Sequence, residues 1–564
     1  MKKRLSLLLV GAMLFAMTAC APKMKEMYVD PEWETEESTL EETEDPTEES
    51  TQEPTEETVP VGPVNYEGLP LQYKLTQEDV DLFYETLEQC EKLAMESTDE
   101  EVLDEIGEEL EDQYNYLEDQ CSIAQIIYYC DLTDEAASRQ YLDCTDLVTE
   151  ADNAYKQMLR RVYQSDAPGK DLIFEDWTEA ELTLLVNYTE EIKELEKRNA
   201  EILVEYQSLE DQTSDEMVPL FLEKVANNNR IAQIYGYDNY YVFAYEVGYS
   251  RDYDHTEIAN MRSYAANYLA PAIADGYGAF YASMLGLDTD QQQMLITLVE
   301  GDYNDLEEDY LQNYLNALPE TMQASMKEAL KEENCYFTND KNAEQAAFTA
   351  VLSDRCFCYF GPGYAKTLTL AHELGHYYGG QFADLDLLSL DLAETQSQGN
   401  EWLMLHYLSG ELDEDLFEAI VNYKLYENSA VVMISILVDQ FEEQVYTHED
   451  PQSLDADDLY EMMEQICKEY GGEDYIATYV TSIHDYWRMV VVENPVYYIS
   501  YGVSAVSAMS VYTSYQTDFA AAVEAYRCVV ENDGTLTFLD TLEDAGLPHA
   551  FDEEVYVEIS KMFS

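Results

Sequence analysis

Positive charge is what this chain has least of. Its 29 Lys and Arg stand against 117 Asp and Glu, for a formal net charge of −88. Counterion release from a phosphate backbone requires a cationic surface, which so acidic a chain does not offer, so no nucleic acid partner is expected. The same excess favours solubility and self-repulsion outside the cell. Long apolar runs are also missing: after the first residues, no segment has the length and apolarity of a membrane-spanning helix. Ten cysteines are present but show no disulfide-framework spacing. A folded part this large does not need such staples. Cys356 and Cys358 are two apart and would point the same way from a strand, but two cysteines alone do not make a zinc site. They are expected as free structural thiols. There is no internal repeat of fixed period. The 48 tyrosines, against 17 phenylalanines, are spread throughout and read as amphipathic core and groove lining.

The first residues stand apart from the rest. Lys2, Lys3 and Arg4 form a positive start, and Leu5 to Ala16 is an apolar stretch too short to span a bilayer. Met17-Thr18-Ala19-Cys20 resembles a bacterial lipobox. That resemblance implies a signal peptide over residues 1–19, cleaved before Cys20, and lipid attachment to the Cys20 thiol. The acyl chains would hold the protein on the extracytoplasmic face of a bacterial cell membrane without a spanning helix. From Pro31 to Pro60 the chain is mostly Glu, Thr, Pro and Ser, with 13 acidic residues among 30. That composition cannot bury a core. Residues 20–66 are therefore expected to be an acidic, disordered, self-repelling tether.

Beyond about Asn65 the pattern is helical, so the fold class is mainly α. Thr76-Gln77-Glu78-Asp79 reads as a helix start, with an acidic residue three after a hydroxyl cap. Val80, Phe83, Tyr84, Leu87, Cys90 and Ala94 follow at helical spacing. Similar stretches run to about Leu209, broken at Asp166-Ala167-Pro168-Gly169. This predicts an N-terminal helical domain over 67–210 and a catalytic domain over 211–564. One strand pair is expected, Gln345 to Leu352 and Arg355 to Phe360, turning at Ser353-Asp354. After Gly361-Pro362-Gly363 a helix should begin near Ala365 and end at Gly379-Gly380. A second helix should run from about Leu388 to Leu408. A third should start at Asn494-Pro495, where Asn suits a cap and Pro a first helical position.

Chemistry concentrates at His372-Glu373-Leu374-Gly375-His376. Histidines four apart on a helix project from one face, so two neutral imidazoles can bind one Zn²⁺ per chain. Glu373, next to the first ligand, can act as general base on the attacking water. With 7 histidines in the chain, this pattern would arise by chance roughly one time in a hundred. A zinc site needs a third protein ligand. The next helix offers Asp391, Glu394 and Glu401, of which Glu394, Ser397 and Glu401 share a face. Glu394 is assigned as the ligand, with Asp391 or Glu401 orienting a histidine from behind.

Several segments together resemble the thimet oligopeptidase/oligoendopeptidase F family. They are Thr369 to His376, with glycine before the second histidine, and Glu394-Thr395-Gln396-Ser397. They also include Tyr497-Tyr498-Ile499-Ser500-Tyr501, Ile231 to Tyr240, and Ala346-Ala347-Phe348-Thr349, which looks like the family's substrate-facing strand. The resemblance implies a two-lobed helical channel architecture with a small β-sheet beside a thermolysin-like metal helix. It implies zinc-dependent cleavage of short, unfolded peptides. It also makes Tyr501, with Tyr498 in reserve, the phenol that donates to the developing oxyanion. Three positions depart from the family: Gly379 where a further histidine is frequent, and Val491 and Asn494 where a histidine and a tyrosine are usual. The missing histidine and tyrosine support one alternative, a catalytically impaired peptide-binding surface lipoprotein; a metallocarboxypeptidase with a similar helix is another.

Overall fold

The computed structural model describes residues 63–563, apart from 176, 208, 210–213, 274–282, 307–308, 383–388, 471–493 and 533. The signal peptide, Cys20, most of the tether and Val491 therefore lie outside the described residues. Among the described residues no helix is long and apolar enough to cross a membrane.

The described chain is mainly α. It begins with a bundle of three helices, Gln77–Glu96, Glu100–Cys130 and Glu135–Gln164. Thr76 caps the first through a reciprocal pairing with Asp79, as their spacing predicts. Val80, Phe83, Leu87, Cys90 and Ala94 are buried on one stripe, with Tyr84 half-buried beside them. The break at Asp166 to Gly169 is present, and the Gly169 N–H docks on the Ala94 carbonyl at 3.1 Å. The apolar core of the bundle runs from Val80 to Leu185. A second, larger core runs from Leu184 to Phe563. Helix Glu190–Gln207, read from the sequence as part of the first domain, gives Tyr206 to this larger core.

Between the two cores stands a three-stranded sheet. Its strands are β1 (Cys335–Phe337), β2 (Ala347–Leu352) and β3 (Arg355–Phe360), in the order β1-β3-β2. β2 and β3 form the expected antiparallel pair, closing at Leu352 opposite Arg355. β2 starts two residues later than the sequence suggested. β1 pairs parallel to β3 and is new; three residues are too few to show a period. Alternation along the strands makes the sheet two-faced. Phe348, Leu352, Phe357 and Tyr359 pack on Ile123, Ile126 and Ile127 of the bundle. Ala347, Cys356, Cys358 and Phe360 join the core that contains Leu370, Ala371 and Leu374. Cys356 and Cys358 do point the same way and are free, buried thiols.

Three helices then build the site. The histidine helix spans Thr367–Gly379, the glutamate helix Leu390–Leu408 and the tyrosine helix Ile499–Ser514. The first two match their expected extents closely. The third does not start at Pro495. Val496 has φ 63°, a left-handed value that no α-helix accommodates, so the helix begins only at Ile499.

Candidate metal centre

His372 and His376 lie on one face of the histidine helix, their ring centroids 5.0 Å apart. Glu394 reaches them from the glutamate helix. One ligand atom from each of the three lies within 4.8 Å of the other two. His372 Nε2 is 3.9 Å from Glu394 Oε2. The Nε2 atoms of both histidines are buried and have no hydrogen-bond partner. Two orphaned imidazole nitrogens converging with a buried carboxylate are costly unless something electropositive joins them. This donor set of two nitrogens and one carboxylate oxygen is that of a catalytic zinc site, so the residues fit the metal.

The close approach of the two helices comes from Gly375. A Cβ there would lie 2.8 Å from the Gln396 carbonyl oxygen and from Ser397 Cα, both backbone atoms. Asn400 locks the contact by donating to the Ala371 carbonyl at 2.6 Å. Tyr314 in turn donates to Asn400 Oδ1 at 2.5 Å. At Gly379, one of the departures, a Cβ would meet Gln396 Oε1 at 2.1 Å, so the Gln396 side chain would have to shift to admit a larger residue.

Glu401 stands behind His372, with Oε1 2.9 Å from Nδ1. An Nδ1–H donated to this carboxylate leaves the Nε2 lone pair free for a metal. The other oxygen, Oε2, is 2.5 Å from Lys424 Nζ, and Lys424 also binds Glu427 at 2.6 Å. Burial works against ionisation of Glu401, but Lys424 and His372 outweigh it and hold the carboxyl below its ordinary range. In the metal-free protein His372 is pushed up to about 9. Burial opposes its charge, and the Glu401 hydrogen bond, with the charges of Glu401, Glu373 and Glu394, overcomes it. His376 has no such partner; burial, then the neighbouring His372, hold it well below the usual imidazole value.

Asp391 is not a partner of either histidine. Its carboxylate accepts from the Tyr253 hydroxyl at 3.1 and 3.0 Å, at the opening turn of the glutamate helix. Of Asp391, Glu394 and Glu401, all on the glutamate helix, only the last two have their carboxylates beside His372. Burial raises the Asp391 carboxyl, opposed by Arg251, Ser500 and Tyr253.

Glu373 is 1% exposed. Thr349 of β2 donates to its Oε2 at 2.9 Å. Burial pushes this carboxyl up to about 7, against the pull of His372 and Thr349, with Glu394 and Glu401 adding to the rise. Tyr498 immediately precedes the tyrosine helix, and its ring centroid lies 5.1 Å from that of Tyr501. The Tyr501 hydroxyl is 3.3 Å from the Tyr497 hydroxyl. Tyr497, Tyr498 and Tyr501 are all buried, at 8%, 3% and 9% exposure. Sequence reasoning missed Lys424 and the Thr349–Glu373 bond. Neither carries a local signal, because each partner lies more than twenty residues away along the chain.

Neither a family model nor a curated protein matches this sequence. Solved structures do resemble it. PZ peptidase A, solved with an inhibitor, superposes with a TM-score of 0.68 at 14% identity, over 87% of this chain and 98% of that one. A structure described as an oligoendopeptidase F gives 0.66 at 15% identity, covering 87% and 97%. Another, from Bacillus anthracis, gives 0.64 at 15% identity, covering 87% and 96%. The chain thus has the helical channel fold of these structures along nearly its whole described length.

Proposed function

We propose that this chain, folded like oligoendopeptidase F, is a zinc metalloendopeptidase that hydrolyses short unfolded peptides. The observation that carries the reading is the meeting of His372, His376 and Glu394, with two orphaned Nε2 atoms, beside the buried carboxyl of Glu373. When bound, zinc lowers the pKa of a water toward about 7 and polarises the substrate carbonyl. The protein's own groups do the rest. Glu373 takes the proton of the attacking water and returns it to the leaving amine. Pushed up to about 7 by burial in the metal-free site, this carboxyl suits a base working near neutrality. Thr349 donates to Oε2 and so holds the carboxyl in place for this work. Glu401, backed by Lys424, fixes the ring of His372 so that Nε2 faces the ligand cluster. Tyr501 donates its phenol hydrogen to the substrate oxygen as charge develops there, with Tyr498 as the reserve.

The sequence features at Lys2 to Cys20 support a lipid anchor at the outer face of a bacterial membrane. Cys20→Ser would then release the protein from the membrane fraction. The catalytic reading is tested by mass spectrometry of products from a mixed peptide library. Internal cuts support it. Single-residue trimming from the free C-terminus would make the chain a metallocarboxypeptidase, and no cuts would make it a peptide-binding lipoprotein. Metal analysis should find about one zinc per chain, lost in His372→Ala/His376→Ala.

A further inference from the structure

Among the described residues, two non-glycine residues have positive φ: Ser250 at 46° and Val496 at 63°. For a β-branched side chain that region is strained, and such strain persists only where the surroundings over-determine it. Although far apart in sequence, the two flank one contact. Tyr249 donates its hydroxyl to the Pro495 carbonyl at 2.9 Å. Arg251 Nη2 donates to the Val496 carbonyl at 2.8 Å, to the Tyr497 carbonyl at 3.4 Å and to Ser500 Oγ at 3.0 Å. From the other side, the Val496 N–H donates to Glu442 Oε1 at 2.6 Å. Both peptide groups of Val496 are thus held by buried side chains, Arg251 and Glu442.

The guanidinium is itself fixed. It lies over the rings of Tyr245 and Tyr249, at 4.4 and 4.5 Å from their centroids. Two residues further on, Tyr253 binds Asp391 in the first turn of the glutamate helix. Residues 249, 251 and 253 therefore grip the start of the tyrosine helix and the start of the glutamate helix together. One of those helices carries Glu394, and the other carries Tyr501.

We propose that this joint sets where Tyr498 and Tyr501 stand relative to Glu394 and the histidines, with Arg251 as its positioning residue. The claim rests on the peptidase reading for its chemistry and on the joint alone for its geometry. All three bonds leave from Nη2, while the flat face of the guanidinium lies over two rings; a lysine ammonium has no such face and cannot make both kinds of contact in this geometry. The tyrosine helix follows Val496 by three residues, so its direction is inherited from that turn.

The test uses the full chain with two variants, Arg251→Lys and Val496→Gly. The second removes a fully buried side chain and, because glycine populates both signs of φ, frees the turn to leave its left-handed conformation, without touching any hydrogen-bonding side chain of the joint. Each is expected to lower kcat at least tenfold, with KM within twofold and zinc content unchanged. Added to Tyr501→Phe, each should cost less than a further twofold, because both act through one phenol. Wild-type kcat in both variants, or losses that multiply fully with Tyr501→Phe, would overturn the proposal. Hydrogen exchange reads the joint without any substrate. In Val496→Gly the amides of residues 497–501 should exchange at least tenfold faster, while those of 372–376 keep their rates. Unchanged exchange at 497–501 would overturn the joint whether or not a peptide is cut. A wild-type protein that cuts nothing would instead sink the peptidase reading, and the exchange result would still decide the joint.

Discussion

The N-terminal bundle and the glutamate helix bury their residues on opposite principles. Helix Gln77–Glu96 hides one stripe, led by Val80, Phe83 and Leu87, and leaves its charges in water. The glutamate helix hides everything: each residue from Asp391 to His406 is buried, including Glu394, Gln396, Gln398, Asn400 and Glu401. It is enclosed by the histidine helix, the tyrosine helix and helices Phe519–Val530 and Tyr310–Ala317. Apolar burial in the bundle stabilises at roughly 25 cal/mol per Å² and asks only for shape. Every polar group in the glutamate helix must instead find a partner or cost free energy. The bundle is built for stability. The centre spends stability to hold donors and carboxylates at fixed places.

The contrast can be broken most sharply at Glu373. Glu373→Gln keeps the size of the side chain and should keep its zinc, yet lose roughly 10²–10⁴-fold in kcat. Near-normal turnover would mean that the buried carboxyl is structural after all. In the bundle the reverse is expected. Phe83, fully buried, should cost about 3–5 kcal/mol of stability when cut to Ala, with kcat and zinc affinity unchanged below the new melting temperature. A fall in zinc affinity in Phe83→Ala would show that the two regions are not separable. Glu401→Gln sharpens the contrast from the other side. It should weaken zinc binding roughly 10–100-fold while changing the melting temperature of the metal-free protein far less than Phe83→Ala does. Equal zinc affinity in the variant and the parent would remove Glu401 from the support of His372.

The smallest effect is a proton. In the metal-free protein His372 titrates near 9, above its ordinary value of 6.5. The stability it contributes is full below about 6.5 and is lost as the pH rises through about 9. A zinc ligand must be neutral, so binding at pH 8 should expel about one proton, and apparent zinc affinity should rise with pH toward about 9. Calorimetry in buffers of different ionisation heat measures this directly. No dependence on the buffer would show that His372 is already neutral.

The two regions were also unequally legible in the sequence. Bundle helices announce themselves by period, and Thr76 with Asp79 marks a start that the structure reproduces. The histidine helix is legible because its two histidines and Glu373 are neighbours in the chain and glycines bound it. The glutamate helix, buried on all sides, has no polar face to contrast with an apolar one, so only the spacing of Glu394 and Glu401 and the family resemblance pointed to it. Period placed Asp391 near the site but could not say that its partner would be Tyr253. Lys424 was invisible because a lysine on a long helix looks solvated until Glu401 is brought beside it. The tyrosine helix misled in a specific way. Asn494-Pro495 has the chemistry of a helix start, but contacts from Arg251 and Glu442 impose a left-handed turn at Val496 and delay it.

Gly375 has a consequence for reading other genomes. Changing its codon to one for alanine takes a single nucleotide, and the added methyl would press on the backbone of Gln396 and Ser397, which cannot step aside. The two helices would have to part, and Glu394 would withdraw from the histidines. A gene copy with His372, Glu373, His376 and Glu394 all intact could thus be silenced by a letter that no search for ligands inspects.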